Sequence, residues 1–103
     1  MGSLRMTLQT QLVLRALLVD PARQRYGLEL CESAGLSSGT IYPILARLEQ
    51  AGWVDSRWED PSVHEEGGRP RRRFYRMTED GAEAARLALA RSCRARKQRP
   101  PDG

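Results

Sequence analysis

A chain of 103 residues is long enough for one hydrophobic core and too short for two, so a single domain is expected. Its two cysteines, Cys31 and Cys93, lie far apart without neighbouring ligand spacing, which supports neither a disulfide framework nor a zinc cluster. Lys and Arg number 17 against 13 Asp and Glu, and a net charge of +4 suits a polyanionic partner only if the surplus is concentrated somewhere.

Residues 1–4 stand outside the fold argument as a scar or a loose end. Thr7 is suited to cap a first helix in which Leu8, Leu12, Val13, Ala16 and Leu17 recur at helical spacing, closed by Asp20-Pro21. Residues 21–25 read as a polar connection. Tyr26, Leu30 and Cys31 then mark one side of a short second helix that stops at Ala34-Gly35. Ser37 is a good N-cap for a third helix, whose Ile41, Ile44, Leu45 and Leu48 form an i, i+3, i+4, i+7 stripe ending at Ala51-Gly52.

Past Gly52 the helical period disappears. Residues 53–59 and 72–77 carry β-branched and aromatic side chains and read as two antiparallel strands. Between them residues 60–70 hold two Pro and two Gly, so the connection is a long loop and not a tight turn. Thr78 caps a fourth helix, with Glu79 and Asp80 at its positive end and alanines and leucines filling residues 82–90. Residues 94–103 are basic and end in Pro-Pro-Asp-Gly, which reads as a disordered tail behind a domain spanning 1–93.

No apolar run approaches the roughly 18 to 20 residues that a bilayer requires, and the start lacks the order of a signal peptide, so a cytoplasmic protein is expected. The element order predicts a mainly α domain with a two-stranded β-hairpin wing, the winged helix-turn-helix, in which the third helix enters the major groove of DNA. Turning the buried stripe of that helix inward leaves Gly39, Thr40, Pro43, Ala46, Arg47 and Gln50 on its outer side. Ser37, Ser38 and Thr40 stand at the helix start, where free backbone N–H groups and the dipole favour a phosphate. Pro43 is either a proline of a bent first turn or the mark of a helix that starts later. Tyr42, on the flank of the stripe, either packs beside the core or points its hydroxyl at a phosphate.

The second signal is Gly68-Arg69-Pro70-Arg71-Arg72-Arg73 with Arg76 just behind, five arginines within eight residues. In a hairpin wing such guanidiniums track phosphates or enter a narrow minor groove, and the bland alternative is a solvated run offset by Glu59, Asp60, Glu65 and Glu66. With only six aromatic residues the core is thin. Leu8 and Leu12 on the first helix and Leu87 and Leu89 on the last are therefore candidates for a homodimer interface.

The residues at this point resemble the PadR family of bacterial transcriptional regulators. Tyr26-Gly27-Leu28-Glu29-Leu30, the run from Leu36-Ser37-Ser38-Gly39-Thr40-Ile41-Tyr42-Pro43 through Arg47-Leu48-Glu49, Gly52-Trp53-Val54, Gly68-Arg69-Pro70 and Phe74-Tyr75-Arg76-Met77-Thr78-Glu79-Asp80-Gly81 are similar to its motifs. Gly-Thr-Ile-Tyr-Pro is the most specific. The resemblance spans roughly residues 8 to 90. It implies a winged helix, dimerisation through the first and last helices, and repression of promoters relieved by an effector or stress signal. It also implies DNA contact by Ser38, Gly39, Thr40, Tyr42, Pro43 and Arg47 and by the wing residues Arg69, Arg71, Arg72 and Arg73. With a single helix after the wing, the chain resembles the short members. That helix carries no aromatic residue, so a drug pocket at the dimer axis is not expected, and Trp53 and Trp58 read as packing residues before ligand platforms.

The expected partner is double-stranded DNA with an inverted-repeat operator, together with a second copy of the chain and a small-molecule effector; no cofactor, metal or membrane is expected. The competing function is a winged-helix module that binds protein or senses a ligand without touching DNA. A metal sensor built from Cys31, His64 and Cys93 needs three distant residues to converge. No Ser/His/Asp set, carboxylate pair or phosphate-cradling glycine loop supports an enzyme.

Overall fold

The structure, a computed structural model, describes residues 5–59 and 72–98, with side chains as far as Cys93. In chain order it contains α1 (Leu8–Leu18), β1 (Arg25–Tyr26), α2 (Gly27–Ala34), α3 (Ser38–Gln50), β2 (Val54–Trp58), β3 (Arg73–Met77) and α4 (Glu79–Gln98). Thr7 caps α1 by accepting from the Thr10 N–H at 3.1 Å. The buried side of α1 is Val13, Leu14, Ala16 and Leu17, while Leu8 is 61% exposed, so the inward stripe is rotated toward Leu14 from the one expected. Two αL glycines stop helices: Gly35 (φ 70°) after α2, with Leu36 N–H returning to the Cys31 carbonyl at 3.0 Å, and Gly52 (φ 79°) after α3, with Trp53 N–H returning to Leu48 at 2.9 Å.

The sheet has three strands in the order β1-β3-β2, all antiparallel, in place of the two expected. The additional strand comes from the polar connection and the residue assigned to the start of the second helix. Arg25 and Tyr26 pair with Tyr75 and Phe74, and the Tyr26 and Phe74 rings meet at 5.2 Å. The Arg25 guanidinium holds this short strand to its neighbours, donating to the Ala16 carbonyl at 2.7 Å and to Ser33 Oγ at 2.6 Å. Two residues of strand with one anchoring arginine carry no period that a sequence window detects.

One core unites the elements: Leu14 and Leu17 of α1, Leu30 of α2, Ile41, Leu45 and Leu48 of α3, Val54 of β2, Tyr75 and Met77 of β3, and Ala82 and Ala85 of α4. The hairpin turns Val54, Tyr75 and Met77 toward it. Thr78 Oγ1 accepts from the Gly81 N–H at 2.8 Å and donates to the Gly52 carbonyl at 2.9 Å, which seats α4 against the end of α3. Gly81 lies so close to Trp53 that a Cβ there would fall 2.5 Å from the Trp53 Cα. At 20 residues α4 is about 30 Å long, and it continues to Gln98, past the boundary expected at residue 94. Its last turns are Arg, Ala, Lys and Gln, strong helix formers, so basic composition alone does not end it. None of the described helices is long and apolar enough to cross a membrane.

Candidate nucleic-acid interface

The four stripe residues of α3 are buried, and this orientation sends Gly39, Pro43, Ala46, Arg47 and Gln50 outward, with Thr40 half-buried at the edge. Gly39, Pro43 and Arg47, each four apart, form an exposed line along the helix. Helix α3 begins at Ser38, so Pro43 lies inside it and the later start is excluded. The proline has no N–H for the Gly39 carbonyl, which therefore lacks its helical donor. Ser37 occupies the N-cap position, but its hydroxyl caps no backbone group and instead meets Thr40 Oγ1 at 3.2 Å. The first turn of α3 holds no acidic residue, which leaves its positive dipole end uncompensated.

A Cβ on Gly39 would meet nothing within 4 Å. The fold itself does not require glycine there, and glycine in a helix costs about 1 kcal/mol relative to alanine. The first turns of α3 thus carry two residues unfavourable to a helix, neither serving internal packing.

Tyr42 is 40% exposed and leans onto the start of α2, where a Cβ on Gly27 would collide with its ring and hydroxyl. It neither enters the core nor stands free. Together with Tyr26, Leu28, Trp58, Arg72 and Tyr75 it lines a cleft of about 450 Å³ between α2, α3 and the hairpin. Trp58 is 54% exposed at that cleft, whereas Trp53 packs on the core, so the two tryptophans differ in role.

The arginines of the wing divide. Arg69 and Arg71 lie outside the described residues. Arg72 stacks its guanidinium on the Tyr26 ring, 4.4 Å from the centroid, and the neck of the hairpin is closed beside it by Glu59, whose N–H donates to the Arg72 carbonyl at 2.7 Å. Arg73, the first residue of β3, borders the same cleft but finds different partners. Its Nη2 approaches Glu49 Oε1 at 3.2 Å and donates to Ser56 Oγ at 2.8 Å, so this guanidinium is already held by the protein. Tyr75 lies beside this group, and burial pushes its hydroxyl pKa above the usual 10.0, against the lowering effect of Arg73. The Glu49 partner was not foreseen, since 24 positions separate it from Arg73 and no local spacing joins them.

Of the four leucines expected at a dimer interface, Leu12 and Leu89 pack on the edge of the core, while Leu8 and Leu87 are 61% and 51% exposed. Cys31 is half-buried and Cys93 exposed; His64, the remaining member of the metal set considered, lies outside the described residues. Among the described residues no group of three His, Cys, Asp or Glu is placed to hold a metal ion.

Three helices, a recognition helix with a small polar outer face and a hairpin wing beside it define a winged helix-turn-helix protein. The sequence profile of the transcriptional regulator PadR-like family matches residues 16–87, and the chain belongs to that family. Among solved structures it is similar to a PadR family transcription regulator from hypervirulent Clostridium difficile R20291, at 21% identity and a TM-score of 0.67, covering 88% of this chain and 93% of that one. The PcaV transcriptional regulator from Streptomyces coelicolor, in complex with its natural ligand, is 29% identical with a TM-score of 0.66, over 91% of this chain and 60% of that one. Reduced AbfR bound to DNA is 26% identical with a TM-score of 0.61, over 82% and 58%. The chain therefore spans 60% of the length of PcaV. No curated protein sequence matches it.

Proposed function

We propose that this chain is a sequence-specific repressor that binds double-stranded DNA as a homodimer and is released by an effector or stress signal. The observation that carries the proposal is the outer face of α3, where Gly39 and Pro43 weaken the helix without serving the core. A bare, donor-rich helix start suits close approach to a phosphate backbone, with Ser37, Ser38 and Thr40 supplying hydroxyls and Tyr42 a phenol. Arg47, exposed one turn beyond Pro43, is assigned to a base edge. Arg69, Arg71 and Arg72 are assigned to phosphates or the minor groove beside the wing. Leu8 and Leu87 form the centre of the dimer contact, with Leu12 and Leu89 at its edge, and support comes from the long α4 whose exposed apolar side needs cover. The reading draws support from two similar folds, a structure of AbfR on DNA and one of PcaV with its natural ligand.

Selection of duplexes from a random pool tests it. The expected product is an inverted repeat with half-sites about one DNA turn, roughly 34 Å, apart. Arg47→Ala should cost about 1 to 3 kcal/mol on that duplex and relax preference at one position. Replacing Arg69 and Arg72 by Ala should make the salt dependence shallower by up to about 0.9 per lost phosphate contact. Recovery of no enriched sequence, or of one without dyad symmetry, would overturn the reading. A ligand-sensing role is the second reading, favoured by the cleft that Tyr26, Tyr42 and the exposed Trp58 line.

A further inference from the structure

We propose that the Glu49–Arg73 ion pair is a clamp that fixes the wing against the recognition helix, and that Arg73 is a positioning residue for DNA binding and not a phosphate contact. Its consequence for DNA rests on the function proposed above; the clamp itself does not.

Beyond the base of the hairpin, where Val54 and Met77 anchor it to the core, the strands run outward past α3. There both carboxylate oxygens of Glu49 are taken by the hairpin. Ser56 Oγ of β2 donates to Oε2 at 2.7 Å, and Arg73 Nη2 of β3 lies 3.2 Å from Oε1 and 3.4 Å from Oε2. Arg73 also donates to Ser56 Oγ through Nε and Nη2, at 3.0 and 2.8 Å. The result is a closed triangle of α3, β2 and β3, held by a planar fork that a lysine ammonium cannot reproduce. Two rings steady the fork: Trp58, the cross-strand partner of Arg73, at 5.4 Å, and Tyr75 at 6.0 Å from their centroids.

The side chains of Arg73 and Glu49 are 38% and 36% exposed, so solvent screens the pair and its contribution to overall stability is small. Its effect lies in geometry. A recognition helix and a wing that reach DNA as one rigid unit lose less freedom on binding than two elements that move separately. An Arg73 that bound phosphate would first have to leave Glu49.

The two roles differ in sign when Glu49 is neutralised. If Arg73 is a phosphate contact, Glu49→Gln releases it, and DNA affinity rises with a steeper salt dependence. If the pair is a clamp, Glu49→Gln weakens binding although the protein becomes more positive. The probes are the duplex that the unaltered protein selects from a random pool and a scrambled duplex of equal length, followed by anisotropy at several salt concentrations. For Glu49→Gln the clamp predicts about a tenfold loss on the selected duplex, no loss on the scrambled one and an unchanged salt slope, with the melting temperature nearly unaltered. Arg73→Gln should show the same loss, and the double variant no more than either single one. Tighter binding of the selected duplex, an unchanged affinity for both duplexes, or losses that add in the double variant would overturn the proposal.

Amide hydrogen exchange of the DNA-free protein supplies an independent reading. The β2 and β3 amides should exchange faster in Glu49→Gln than in the unaltered chain. Unchanged exchange refutes the clamp whatever the DNA result. Should the unaltered protein select no duplex, the proposed function fails while exchange still decides the clamp.

Discussion

Replacing Gly39 by alanine should make this protein more stable and a poorer DNA binder. Gly39 lies in the first turn of α3 with negative φ, and its Cβ position is open to 4 Å, so alanine adopts the native backbone without collision. The gain is about 1 kcal/mol from helix propensity and the reduced freedom of the unfolded chain. In a domain of this size that raises the melting temperature by about 4–8 °C. Pro43→Ala adds to it by restoring an N–H for the Gly39 carbonyl, on the order of 3 kcal/mol for a proline in a helix interior. Binding moves the other way, because the new methyl group stands between the helix start and the backbone it is proposed to approach. Thermal melts followed by dye-free circular dichroism, and anisotropy with a selected duplex, measure the two effects on one sample. A stabilised Gly39→Ala variant with undiminished affinity would mean that the helix start meets no partner. A destabilised one would mean that the glycine serves the fold after all.

Gly81→Ala should destabilise by about 1–3 kcal/mol in a urea titration, because the added Cβ lands on the Trp53 backbone and α4 must lift from its seat. Gly27→Ala pushes the Tyr42 ring and hydroxyl off the start of α2 without meeting backbone, so DNA affinity should fall in anisotropy while the melting curve changes little. Tyr75 has its pKa raised by burial, so its contribution is complete below pH 10.0 and is lost as rising pH ionises the unfolded chain first; Tyr75→Phe should flatten the fall of the urea midpoint above that pH. Leu87→Glu places a charge on the exposed apolar side of α4 and should shift sedimentation to that of a monomer without unfolding the domain.

What the sequence made legible was whatever repeats along a single element. The period of Ile41, Ile44, Leu45 and Leu48 made legible both the buried side of α3 and, by difference, its outer side, and the structure agrees at each position except Thr40, which is half-buried at the edge. Caps were legible for the same local reason: Thr7 and Thr78 each bond an N–H three residues on. What escaped depends on chain segments meeting. Strand β1 exists because Arg25 reaches Ala16 and Ser33 and because Tyr26 finds Phe74, and none of these partners is its neighbour in sequence. The α1 stripe misled for a related reason, since Leu8 and Leu14 are equally apolar and only packing decides which is covered.

The wing carries the same lesson into function. Adjacent arginines look interchangeable as a charge run, but Arg72, just before β3, and Arg73, its first residue, find different partners. Arg72 comes to rest on Tyr26, with its backbone N–H on Glu59 Oε2 at 3.2 Å. Arg73, one residue further, meets Glu49 and Ser56 and has its charge answered within the protein. In the reading proposed above, one basic run serves two ends: Arg72 as a cation offered to a partner, and Arg73 as a strut that sets the angle at which it is offered. Net charge registers the sum of these and cannot separate them; the partners of each guanidinium do.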